Sequence, residues 1–236
     1  MTTLPLTLAI ALAAGLSIPV GALISSNTWL RSICFQHEID SFVSYFGGGA
    51  LLAALALVLV PFGMENVPLL SAAAAFLIGG VVFWLLSSWV KRKGNTASQF
   101  LGMLLDFIPE SIALGAAAAT GSNTGYLLAA LIALQNMPEG FASFHEMRLG
   151  GIAKKRLWII FLMAPLAGPL SAWLGYACLS ASTQSLGLLM LFCSGGILYL
   201  IFEDIAPGAH LKHRDFPAIG AVSGFLLGMV GTMLIH

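Results

Sequence analysis

Charge is the scarcest feature of this sequence. Of its 236 residues, 8% are Asp, Glu, Lys or Arg, against roughly 25% in soluble domains. A chain with so little polar surface is neither a soluble enzyme nor a disordered tail. Ten Lys and Arg balance ten Asp and Glu, so no basic excess points to nucleic acid. Cysteine is sparse too. Cys34, Cys178 and Cys193 lie far apart, without CxxC or Cys/His zinc spacing, and read as free apolar residues in helices. The HExxH motif of membrane zinc proteases is missing: Ser41 and Leu149 stand where His37-Glu38 and His145-Glu146 need a second His. No nucleophile–base pair stands out either, so no enzyme is expected.

Apolar residues make up 58% of the chain. They fall into eight runs at about 4–26, 42–64, 67–90, 97–120, 125–147, 157–179, 186–206 and 217–235. A membrane helix needs about 20 residues, so residues 1–236 read as one all-α integral membrane domain of eight spans. A barrel would show alternating segments of about 10 residues instead. Met1 to Pro5 holds no Lys or Arg, whereas a signal peptide needs a positive start. The first run is therefore expected to be a retained helix. Residues 27–41 form the longest predicted connection, where Trp29, Ile33 and Phe35 mix with Arg31 and Glu38. It is either a plain loop or an interfacial amphipathic turn.

All ten basic residues fall in odd-numbered loops: Arg31, then Lys91 to Lys93, then Arg148 and Lys154 to Arg156, then Lys212 and Arg214. The positive-inside rule puts those loops in the cytoplasm and both termini outside.

The acids are placed differently. Asp106, Glu110, Glu139, Glu203 and Asp204 fall inside predicted spans, with no Lys or Arg deep in any span to pair with them. Each mid-membrane charge costs on the order of 2.5–3.5 kcal/mol. Protonation, water or a bound cation must offset this. Asp106 and Glu110 lie four apart in the fourth run, and Gln135 and Glu139 four apart in the fifth, so each pair shares a helix face. Pro109-Glu110 and Pro138-Glu139 repeat 29 positions apart. Each proline deprives a carbonyl, of Leu105 and of Leu134, of its helical partner, and should kink its helix at the acidic turn. Asp106 and Gln135 lie about ten residues into oppositely directed spans, or ~15 Å deep. Asp106, Glu110, Gln135 and Glu139 can therefore converge on one midplane cation site.

Asp106-Phe107-Ile108-Pro109-Glu110-Ser111 and Gln135-Asn136-Met137-Pro138-Glu139-Gly140 resemble the HNxPEG-like metal-binding motifs in helices 4 and 5 of the ZIP (Zrt/Irt-like) family. Glu203-Asp204 before Pro207 resembles the acidic pair of bacterial members. The resemblance implies eight helices, uptake of a divalent metal (zinc, manganese or iron) into the cytoplasm, and helices 4 and 5 within a moving unit. It implies Asp106, Glu110, Gln135, Asn136 and Glu139 as metal ligands. Glu203, Asp204, Glu146, His145 and His210 are candidates for passing metal to the cytoplasm. The metal is substrate, and no cofactor is implied. The partners are the cation and the bilayer of the inner (cell) membrane, without nucleic acid and with room for a homodimer. A metal-binding sensor or scaffold that does not transport is the alternative.

The sequence departs from the family at several positions. Asp106 replaces His, Phe107 replaces Asn, and Pro165 stands near the usual acid of the sixth helix. The long His-rich loop between the third and fourth helices is missing. One metal held by oxygen ligands, with a weakened zinc preference, is the expectation.

Overall fold

The computed structural model describes residues 3–27, 36–92, 97–119, 124–178, 182–209 and 215–235. Among them every regular element is helical and none is a strand. They form eight rods. α1 is Leu4–Ser26, in two pieces, Leu4–Gly15 and Ser17–Ser26. α2 runs from Gln36–Ala54 through a π-turn at Leu55–Leu59 into Val60–Asn66. α3 is Leu69–Arg92, α4 Ser98–Ala119 and α5 Thr124–Leu149. α6 is Lys154–Cys178, with a 3-10 turn at Ala164–Leu166. α7 is Thr183–Leu200, extended by a π-turn at Ile201–Ile205 and a 3-10 turn at Ala206–Ala209. α8 is Asp215–Ile235.

The rods match the apolar runs closely, with one correction. The expected 27–41 connection is shorter, because α2 already begins at Gln36. Neither Gly nor Pro interrupts residues 36–41, so nothing stops the helix from extending there. Residues 28–35, which carry the expected interfacial turn, lie outside the described residues.

Proline accounts for the irregular turns. Pro19 cannot bond Gly15 O, and α1 steps at Leu16. Pro61 cannot donate to Leu57 O, within the π-turn of α2, and Pro207 cannot donate to Glu203 O, within that of α7. Pro165 lies within the 3-10 turn of α6, and Pro169 follows it in the next helical turn. Pro109 and Pro138 behave differently, since α4 and α5 stay α-helical through them.

Among the described residues, six rods are long and apolar enough to cross a membrane by length and composition; α5 is not among them, and α8 contributes the shorter apolar stretch Ala218–Leu234. The polar residues Gln135, Asn136, Glu139, His145 and Glu146 dilute the hydropathy of α5. On α3, Leu69, Leu70, Leu77, Ile78 and Trp84 are exposed, as suits a lipid-facing helix.

Close helix pairs form at glycines. A Cβ on Gly21 of α1 would collide with Met137 O of α5, and one on Gly140 of α5 would press on Ile18 O of α1. Gly115 and Gly175 join α4 to α6 in the same reciprocal way, Gly79 and Gly195 join α3 to α7, and Gly49 and Gly224 join α2 to α8. Small residues permit this backbone approach. The core between the pairs is apolar, with Phe107, Phe144 and Phe161 wholly buried.

Candidate metal centre

The sequence aims four side chains of α4 and α5 at one another, and the structure arranges them in two layers. In the first, Gln135 Nε2 donates a hydrogen bond to Glu110 Oε2, joining α5 to α4. Glu110 is 1% exposed and Gln135 0%. Glu110 Oε1 and Gln135 Oε1 accept no hydrogen bond, although both are buried.

The second layer lies one helical turn away. Asp106, 3% exposed, accepts a hydrogen bond at Oδ1 from the Phe107 backbone N–H at 2.9 Å. Asp106 and Glu139 line one cavity of about 70 Å³, together with Ser44, Gln99, Pro138 and Ser143. Glu110 and Gln135 are not in its wall. Among the described residues, no three His, Cys, Asp or Glu side chains stand together as a preformed cluster. The acids share a neighbourhood, and an ion would have to draw the two layers together.

A wider cavity of about 310 Å³ adjoins the first and shares Ser44, Gln99, Ala142 and Ile205 with it. His145 and Glu146 are in its wall, with Ser41 and Tyr45. Glu146 Oε2 also accepts the Gln99 N–H at 3.0 Å, satisfying a free donor at the start of α4. The two cavities thus join the acidic layer to the end of the bundle where α4 begins and α5 ends.

Asn136 is wholly buried, and neither amide atom makes a hydrogen bond. Its counterpart in the motif of α4, Phe107, is wholly buried in an apolar setting. A Cβ added at Gly15 or at Gly168 would stand 2.9 Å from Phe107 Cζ, and one at Gly15 would lie 3.0 Å from Pro165 Cα. An aromatic ring between α1 and α6 therefore occupies the space beside the acidic layer.

The remaining candidates separate from the cavity. Glu203 pairs with Lys91 Nζ at 2.6 Å and accepts the Ser87 hydroxyl at 2.8 Å, both from α3. It lines neither cavity. The Asp204 side chain and His210 lie outside the described residues. Sequence reasoning overlooked Ser44, Gln99 and Ser143 in the cavity wall. For Ser143 the signal was available, because it stands four residues after Glu139.

This arrangement offers oxygen donors in two layers, the Asp106 and Glu139 carboxylates in the cavity wall and the Glu110 carboxylate one turn away. That chemistry suits a divalent cation. The chain is similar to three proteins named as zinc transporters. It is 29% identical over 143 residues to zinc transporter ZIP9 of Xenopus tropicalis, covering 57% of this chain and 47% of that protein. It is 32% identical over 144 residues to zinc transporter GufA of Myxococcus xanthus, covering 60% and 57%. With zinc transporter ZIPB of Bordetella bronchiseptica the identity is 26% over 131 residues, covering 55% and 42%. No family model matches the chain. The chain spans about half the length of the curated relatives it matches. These relatives are named as transporters, not enzymes, and by sequence the chain is related to the ZIP family of metal-ion transporters, bacterial members included.

Proposed function

We propose that this protein carries divalent metal cations across the cell (inner) membrane into the cytoplasm. All eight rods span the bilayer, both termini are outside, and Asp106, Glu110, Gln135 and Glu139 bind the ion, with Asn136 beside them. The observation that carries this reading is the cavity lined by Asp106 and Glu139, deep in an apolar bundle and continuous with a wider mouth. Buried carboxylates are too costly to keep without a function in moving charge.

Orientation follows from charge. The mouth carries His145 and Glu146 near the end of α5. Arg148 in the last turn of α5 and Lys154 to Arg156 at the start of α6 flank the same end. By the positive-inside rule this end faces the cytoplasm. The cavity is then open inward, and the Glu110–Gln135 pair closes it outward. An ion entering from outside must separate that pair. His145 and Glu146 receive the ion on its way out.

The test is metal flux into proteoliposomes containing the purified chain, run over zinc, manganese and iron. Uptake of at least one of them is expected. Metal binding without flux would replace transport by a sensing or scaffold role.

A further inference from the structure

Serine hydroxyls inside these helices usually bond back to a carbonyl one turn earlier. Ser194 donates to Met190 O at 2.7 Å, and Ser223 to Ile219 O at 2.8 Å. Ser143 does not. It is 1% exposed, and its Oγ makes no hydrogen bond. A buried polar group without a partner calls for a bound species. Ser111 is also buried without a partner, but it lies outside both cavity walls. Ser143 lines the narrow cavity with Asp106 and Glu139.

Its position gives the hydroxyl a role. Ser143 follows Glu139 by four residues, so it sits one turn further along the same face of α5, towards the mouth. Ser44 of α2 and Gln99 of α4 line both cavities. Ser44 and Gln99 therefore stand where the narrow cavity meets the wide one, and Ser143 lines the narrow cavity with them.

We propose that Ser143 Oγ is a ligand for the transported cation, in an inner subsite shared with Glu139 and faced by Ser44. The subsite takes a divalent cation in oxygen coordination, with water completing the shell on the side of the wide cavity. The ion shifts from the Glu110–Gln135 layer to Asp106 and Glu139, and then to Glu139 and Ser143, exchanging ligands one turn at a time. This inference rests on the metal-transport reading, so binding and flux are measured separately.

Detergent-purified wild type, Ser143→Ala and Ser143→Cys are titrated with Mn²⁺ and Cd²⁺, and each is reconstituted for flux. Ser143→Ala should weaken Mn²⁺ binding three- to tenfold, with its unfolding temperature in the absence of metal unchanged. Ser143→Cys should raise the Cd²⁺-over-Mn²⁺ preference at least tenfold above that of wild type, because a thiolate favours the softer ion. The wild type carries the native cysteines and serves as their background. If both variants match wild type in affinity and preference, Ser143 is not a ligand. Wild type that binds metal without flux removes transport and leaves the Ser143 subsite standing on its binding data. Wild type that binds neither ion overturns both.

Discussion

Glu110 and Gln135 are joined by a hydrogen bond from the Gln135 amide to the Glu110 carboxylate, and each keeps one buried oxygen that accepts nothing. Each is thus half committed to the other and half available to an ion. Glu110→Gln leaves two amides and no charge in this layer. Glu139→Gln removes one of the two carboxylates from the cavity wall. Each variant is expected to cut metal uptake at least 100-fold while inserting normally in the membrane. Radiometal uptake beside a membrane-fraction immunoblot measures both. Wild-type uptake by Glu139→Gln would remove the site from α5.

Protons should leave as metal binds. Ligands coordinate in their deprotonated form, and three carboxylates in two layers one helical turn apart repel one another unless a proton or cation intervenes. Metal affinity should fall as pH falls from 8 to 5. Calorimetry in buffers of different ionisation enthalpy counts the released protons. At least one per metal is expected, and zero across that range contradicts the idea.

Asp106 should set the metal preference. The candidate ligands are all oxygen donors, and imidazole would shift the site towards zinc. Asp106→His is expected to raise the Zn²⁺-over-Mn²⁺ ratio about tenfold in a competition titration. An unchanged ratio would show that this position does not choose the ion.

The Phe107 ring should hold the stoichiometry at one metal per chain between α4, α5 and α6. It offers no ligand and is packed against Gly15 and Gly168. Elemental analysis of protein dialysed against saturating metal, compared with the Glu139→Gln variant, counts the ions lost with the site. A loss of two would show a second ion despite the ring.

Gly21→Ala should destabilise the bundle by about 1–3 kcal/mol, as overpacking does. Its Cβ would collide with Met137 O, a backbone atom that cannot swing aside. Gly151→Ala is a different case. Gly151 has nothing nearby but a φ of 81°, so its cost is backbone strain of about 1 kcal/mol. Thermal unfolding in detergent should show the larger shift for Gly21.

Much of this was legible in the sequence because long apolar runs mark helices by their length. The eight runs became eight rods with ends moved by a few residues, apart from the start of α2. The breaks were less legible. Pro19, Pro61 and Pro207 mark irregular turns, whereas Pro109 and Pro138 lie inside continuous α-helix. Local chemistry is the same at all five, so packing from neighbouring helices decides where the backbone departs from α-helix. At the site, i,i+4 spacing identified the acidic face, but it could not reveal two layers. Spacing along one helix does not specify how far the partner helix has slid. The pairing of Glu203 was hidden for a related reason. Its partner Lys91 lies 112 positions earlier, on a helix that sequence alone does not place beside α7.

Three consecutive glycines of α2 meet three different helices. Gly47 abuts the ring of Pro138 on α5, Gly48 meets Ile205 of α7, and Gly49 lies against Ala221 O of α8. One residue turns a helix by about 100°, which is how three neighbours can face three ways. A single-residue insertion or deletion here would rotate all three contacts out of phase at once, and side chains would land on backbone. The segment is therefore an indexing point, where the reading frame of α2 fixes the mutual alignment of α5, α7 and α8.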